Sequence, residues 1–238
     1  RLLSAPPYPE FELYALAEMR PPQMVTDHRG RDVTAIVRHA DDTWYDGFEL
    51  TDIHGYARDF HLELDLGPEG CGPEPVLLAH GWVDYAHSTS NWAAAQRGWM
   101  LYPPRLEVRD PDGTWRVVSR DMGTPAGLPK QMLFDLSQVL PTGARHLRIV
   151  TNTAVYWDQL RIGQRRQVPL RVQRLKASTA DLHWRGYPEH TAIHGTFAFR
   201  YHYDRLQTQA SWSTHAGRFT RFGRVEDLLA TVDDRYVV

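Results

Sequence analysis

His80, Asp84 and His87 fall in one short segment, and two imidazoles with a carboxylate form a ligand set for zinc or a related divalent ion. Side chains of an extended chain repeat every two residues, so His80 and Asp84 share a face. His87 joins them only if the chain turns near Tyr85. A metal held there would polarise a bond or activate water, which is the chemistry of a metal-assisted hydrolase. The same region carries a second chemistry. Tyr85, Asn91 and Trp92 lie close to Trp82 and Trp99, and Tyr156, Trp157 and Asp158 follow later. Aromatic planes stack on the C–H faces of sugars while amides and carboxylates bind hydroxyls, so this set reads as a glycan or protein contact. The expected ligand-binding residues are Asp84, Tyr85, His87, Asn91, Trp92, Tyr156, Trp157 and Asp158. Asp158 has a plainer reading as the partner of an arginine such as Arg161.

Other catalytic patterns are missing from the sequence. Ser88-Thr89-Ser90 precedes a short helical stretch and reads as an N-cap, with Ser90 capping Asn91 to Gln96 before Gly98 stops it. There is no Gly-x-Ser-x-Gly elbow, dinucleotide fingerprint or P-loop. Cys71 sits between two glycines in a loop, with no histidine partner identifiable from sequence. As the single cysteine it removes intrachain disulfides and multi-cysteine zinc sites. No cofactor is expected beyond a divalent metal on His80, Asp84 and His87.

These residues must be positioned by strands. Phe60 to Leu66 alternates, with Phe60, Leu62, Leu64 and Leu66 on one face and His61, Glu63 and Asp65 on the other. Val76 to Ala79 is continuously apolar, the pattern of a strand covered on both sides, and it leads straight into His80. Arg105–Arg109 and Thr114–Val118 flank Asp110-Pro111-Asp112-Gly113, a hairpin turn in which proline fixes one φ and glycine supplies a positive one. Strands are also expected at Gln131–Leu136, His146–Val150 and Val155–Ile162, and a second short helix at Val225–Ala230. Loops are expected at Ser4–Pro9, Pro68–Pro75 and Met122–Pro129.

At 238 residues, with 42% hydrophobic and 24% charged residues, the chain can bury a sizeable core. A net charge of −2 argues against a nucleic-acid footprint, and no apolar run reaches the roughly 18 residues of a membrane span. The absence of an initiator methionine and the β-type run at the end read as a piece of a longer polypeptide.

The order Leu62 to Gly67, the Asp112-Gly113-Thr114-Trp115 hairpin, Ala144 to Ile149 and Val155 to Ile162 resembles the galactose-binding-like, discoidin-type jelly rolls over about residues 60–163. Four stretches are similar to the C-terminal region of large bacterial proteins that join FG-GAP or tetratricopeptide repeats to ASPIC/UnbV-type segments: Thr26 to Val33, His80 to Tyr85, Val155 to Asp158, and residues 215–223. That resemblance implies a domain type and an extracytoplasmic setting, periplasmic or secreted, and no reaction. The expected fold is an all-β antiparallel jelly-roll sandwich over residues 60–163. Residues 1–59 and 164–238 would flank it and add strands to the same body. The expected function is that of a non-catalytic accessory module binding a glycan or a protein, the rest of its own chain included. The metal-assisted hydrolase and a purely structural packing domain are the alternatives.

Overall fold

The computed structural model describes residues 13–127, 129–169, 171, 173, 175–192, 199–209, 217–231, 233 and 235–238. The loop expected over residues 4–9 and the first two residues of the stretch 215–223 lie outside them. The described chain is all-β and antiparallel, with one α-helix. It divides into two compact units, Tyr14–Gln167 with Ala192–Phe199, and Val168–Thr191 with Arg200–Val238 and the first thirteen residues.

The larger unit is a β-sandwich. Its five-stranded sheet runs β2 (Met24–Asp27), β3 (Tyr56–Asp65), β8 (His146–Thr153), β5 (Arg105–Arg109), β6 (Trp115–Ser119). The four-stranded sheet runs β1 (Ala15–Arg20), β9 (Val155–Arg166), β4 (Pro75–Val83), β7 (Lys130–Asp135). Alternation explains the first sheet: Leu62 faces Ile149 and Leu64 faces Leu147, with Leu106 and Val108 beyond them, all on the core side. Strand β4 turns Leu77 and Ala79 to the core, and on its other face Val76 is buried and Leu78 partly buried. This strand lies between β9 and β7, where Leu77 pairs with Ile162 and Ala79 with Leu160. These side chains, with Trp44, Tyr45 and Phe48 from the connection before β3, make one continuous core. The Asp110–Gly113 hairpin forms as its sequence dictates, with Gly113 at a φ of 88° and Asp112 Oδ1 accepting the Thr114 N–H at 2.9 Å.

Strands β1 and β2 place part of the segment 1–59 in the sandwich. Beyond Arg166 the expectation of further strands in the same body meets a different arrangement. β10 (Asp181–Leu182) pairs with β13 (Gly223–Arg224), and β11 (Tyr187–Ala192) with β12 (Phe199–Gln207), as two separate two-stranded sheets. The helix expected over Val225–Ala230 is a single 3-10 turn at Glu226–Leu228.

The site is positioned by a register break. β4 and β9 slip between His80 and Gly81, where the Trp157 ring crosses the strand. A Cβ on residue 81 would stand 2.5 Å from the Tyr156 carbonyl oxygen and 2.8 Å from the Trp157 ring, so only glycine lets the two strands close. Past the break β4 runs on to Val83 and delivers Asp84 to the end of the sandwich. Helix α1 (Ser88–Gln96) follows. It starts three residues earlier than the expected Asn91 and has His87, in place of Ser90, at the N-cap position without a side-chain cap bond. The three hydroxyl residues expected to cap it therefore lie in its first turn.

Candidate functional site

The histidines and carboxylates of the expected metal set are divided between two places. His80 is partly buried beside the 41–45 loop, where its Nδ1 lies 2.9 Å from Asp158 Oδ2. Asp158 is fully buried and also accepts the backbone N–H groups of Asp41 and Asp42 at 3.2 and 3.4 Å. Burial pushes its carboxyl above the ordinary aspartate range, against the hydrogen bonds from His80 and the Asp41 backbone that favour its charge. This pair fastens the 41–45 loop to β9, with Trp44 against the His80 ring and Tyr45 bridging to Trp157. Arg161, the expected partner of Asp158, instead donates to the Met19 carbonyl.

Asp84 and His87 do come together, but around His54 rather than His80. The Asp84 N–H donates to Ala154 O at 3.0 Å, and the Ala154 N–H donates to Gly55 O at 3.1 Å. Gly55 has a φ of 83°, and a Cβ there would stand 2.3 Å from the Ala86 nitrogen, so glycine permits both the turn and the contact. This brings His54 Nε2 to 3.1 Å from Asp84 Oδ1 and lays its ring on His87, centroids 5.1 Å apart and planes within 10°. Burial raises the Asp84 carboxyl while the two imidazoles oppose that rise. Among the described residues no group of three or more His, Cys, Asp or Glu side chains is arranged to hold a metal.

The expected ligand-binding residues separate by burial. Tyr156, Trp157 and Asp158 are interior. Tyr156 stacks on Trp82 at 4.2 Å with planes 3° apart, and Trp157 fills the register break, so these rings build the core and cannot face a surface ligand. Burial, with the charges of Asp84 and Asp46, pushes the Tyr156 phenol up to about 12. Tyr85 and Trp92 remain on the surface, each 55% exposed. Tyr85 sets its edge on His87, while Asn91 accepts the Tyr56 hydroxyl at 2.9 Å and ties α1 to β3. Beneath α1, Ile53, Tyr56 and Ala94 form a small apolar cluster of their own. Cys71 is buried, its Sγ 3.6 Å from the Pro141 carbonyl.

Two hollows open around α1. One is a shallow, open depression along the helix itself, lined by Ser88, Thr89, Trp92, Ala93, Gln96 and Arg97. The other, of about 540 Å³, lies over Thr51, Arg58, Asp59, Trp99, Met100 and Asn152. Arg97 belongs to both neighbourhoods: it lines the first and lies over the Trp99 ring of the second at 5.5 Å, held at 2.7 and 2.8 Å by both oxygens of Asp52. Asn152 anchors the second wall by accepting the Tyr102 N–H and donating to Met100 O, each at 2.9 Å. Sequence reasoning reached Trp92 but missed Arg58, Arg97 and Asn152, whose spacing in the chain carries no signal because three separate segments meet here. No protein-family model matches the chain, and no curated protein matches it.

Proposed function

We propose that this chain is a non-catalytic accessory module of a larger, exported bacterial protein, and that it binds a glycan or protein ligand on the surface around α1. The observation that carries this reading is the exposure of Tyr85, Trp92, Trp99 and Met100 on and beside one short helix, next to two hollows whose largely apolar surface is edged by hydroxyl, amide and guanidinium groups. Large apolar groups gathered on a surface and framed by polar side chains are what recognition sites are made of. The bacterial, extracytoplasmic setting rests on the sequence likeness to the C-terminal regions of FG-GAP, tetratricopeptide and ASPIC/UnbV-type proteins, and the jelly-roll winding on the likeness of residues 60–163 to galactose-binding-like, discoidin-type modules. The hydrolase alternative has less support, because His80 is bonded to the buried Asp158 and, among the described residues, no group of three or more ligand-type side chains is arranged to hold a metal.

The test is to probe immobilised glycan and peptide libraries with the wild-type chain and with Trp92→Ala and Trp99→Ala variants. A ligand that either variant binds at least about tenfold more weakly, with the melting temperature preserved, supports the reading. A ligand bound equally by both variants removes the α1 surface from it.

A further inference from the structure

Helix α1 is unusual among exposed helices in what it lacks. Its sequence, Ser88-Thr89-Ser90-Asn91-Trp92-Ala93-Ala94-Ala95-Gln96, contains no charged residue, and only Ala94 is buried. A nine-residue helix is marginal without packing, and solvent-facing helices ordinarily carry charges on the outer face. Trp92 stands at the centre of that face, more than half exposed. Ser88 is four residues before it, Thr89 three before and Gln96 four after, so all three project on the same side of the helix as the indole. Together they line the hollow, which is an open, shallow face of this one helix.

We propose that this hollow is a binding subsite for an uncharged sugar ring, with Trp92 as the stacking plane and Ser88, Thr89 and Gln96 as hydrogen-bonding partners of its hydroxyls. This rests on the binding-module reading and narrows it to one ligand class. Three features favour a neutral glycan. A pyranose offers an apolar C–H face that loses little by leaving water for an indole, and Trp92 contributes no ring pair or cation–π contact within the described chain. Its rim hydroxyls require groups that can donate and accept, which a serine, a threonine and a glutamine all do. Finally, the wall is electrically quiet. Its one charged member, Arg97, is neutralised by both oxygens of Asp52 and stacked on Trp99. A carboxylated or sulfated sugar would share the one cation of the hollow with Asp52, which already binds its Nη1, so the wall offers an acidic glycan little net positive charge.

The second hollow differs in the same respect. Both guanidinium groups nearest Trp99, from Arg58 and Arg97, lie over its ring at 5.9 and 5.5 Å. The indole there is already stacked, whereas Trp92 offers its face to solvent.

The experiment uses the full chain and two sets of oligosaccharides: neutral gluco-, manno-, galacto- and xylo-oligomers, and acidic oligogalacturonates and chondroitin sulfate fragments. Binding is read by calorimetry and by tryptophan fluorescence. The expected result is binding of at least one neutral oligomer, weakened at least about tenfold by Trp92→Ala and severalfold by Gln96→Ala, which keeps a strong helix former at an exposed position. Wild-type-like melting of Gln96→Ala shows that the fold is intact. Binding of acidic oligomers alone, lost in Trp92→Ala, would overturn the neutral-sugar assignment while leaving a module that binds through α1. Neutral-sugar binding that survives both substitutions would overturn the subsite itself. Binding of no oligosaccharide, with a peptide that depends on Trp92, would overturn the sugar and keep the module.

Discussion

The sandwich and the segment beyond Gln167 are both built from short strands of aromatic and β-branched residues, yet they bury them very differently. In the sandwich, nine strands in two sheets cover one another, and Trp82, Trp157, Leu77 and Leu160 are at most 1% exposed. Past Gln167, Val225 is the sole buried apolar residue among the described ones, while Trp184, Tyr203, Phe219, Phe222 and Tyr236 are all more than half exposed. The strands there are held by contacts between near neighbours. Arg205 meets Glu189, Thr191 bonds His202, and Tyr201 lies on Tyr203. The difference teaches that strand pattern is a local property and a core a collective one. A two-stranded sheet gives each residue cross-strand partners on one face and no second layer, which is marginal in water.

The contrast is open to direct attack. The largest effect should come from Leu160→Ala, which empties the centre of β9 and should lose about 2–5 kcal/mol, whereas Leu206→Ala on β12 should lose under about 0.5 kcal/mol. Urea unfolding of both variants measures this, and equal losses would break the comparison. Next in size is Glu107→Gln. Glu107 is nearly fully buried beneath Arg105 and Arg148, and Arg148 in turn stacks on Trp115 at 4.4 Å. Removing the negative charge leaves two guanidinium groups without it and should lose about 3 kcal/mol. The exposed Glu189–Arg205 pair of the hairpin should contribute at most about 1 kcal/mol, and a double-mutant cycle on each pair sharpens the distinction.

A smaller effect appears in the pH dependence. Burial raises the Glu107 carboxyl, but the hydrogen bonds from Arg148 and Arg105 outweigh it and hold the group below the ordinary glutamate range. The unfolded chain therefore takes up this proton first as pH falls. The stability Glu107 contributes is complete above about pH 4.5 and declines as pH drops toward its lowered folded value. Asp158 has the opposite sign: burial raises its carboxyl, so the folded chain holds the proton more tightly and stability falls as pH rises just above the ordinary aspartate value. Melting temperatures between pH 3 and 6 should show a weaker acid decline in Glu107→Gln than in the wild type, and a steeper rise with pH in Asp158→Asn. The smallest effect expected is on amide exchange in β11 and β12, where protection should fall well short of that in β4 and β9. Equal protection in the two regions would show that the hairpin unfolds only with the sandwich.

Much of the sandwich was legible because its strands announce themselves through side-chain alternation. Phe60 to Leu66 and the Asp110–Gly113 hairpin need only residues adjacent in sequence to be recognised. The continuous apolar run before His80 identified the strand β4, on which Leu77 and Ala79 face the core while, on the other face, Val76 is buried and Leu78 only partly so. The surface role of Tyr85 and Trp92 was legible only as a cluster of aromatic types. Whether a tryptophan builds the core or faces solvent depends on which strand lies over it, and Trp157 and Trp92 look alike in sequence. The helix start was misjudged for a related reason: Ser88 to Ser90 satisfy the composition of a cap, but the cap position is set by where the chain leaves β4, and that falls at His87.

By itself the sequence determined the strand class, the turn at Gly113, the lack of any multi-cysteine site, and a short helix after Ser90 that carries Trp92. These depend on periodicity, backbone sterics and composition, all read within a few residues. The tertiary structure alone decided that His80 serves Asp158 while Asp84 serves His54, because each pairing joins segments far apart in the chain through the 80/81 register break and the closeness that Gly55 allows. It alone also decided that the strands beyond Gln167 pair with one another. Side-chain pattern specifies that a strand needs a partner and leaves the choice of partner to long-range packing.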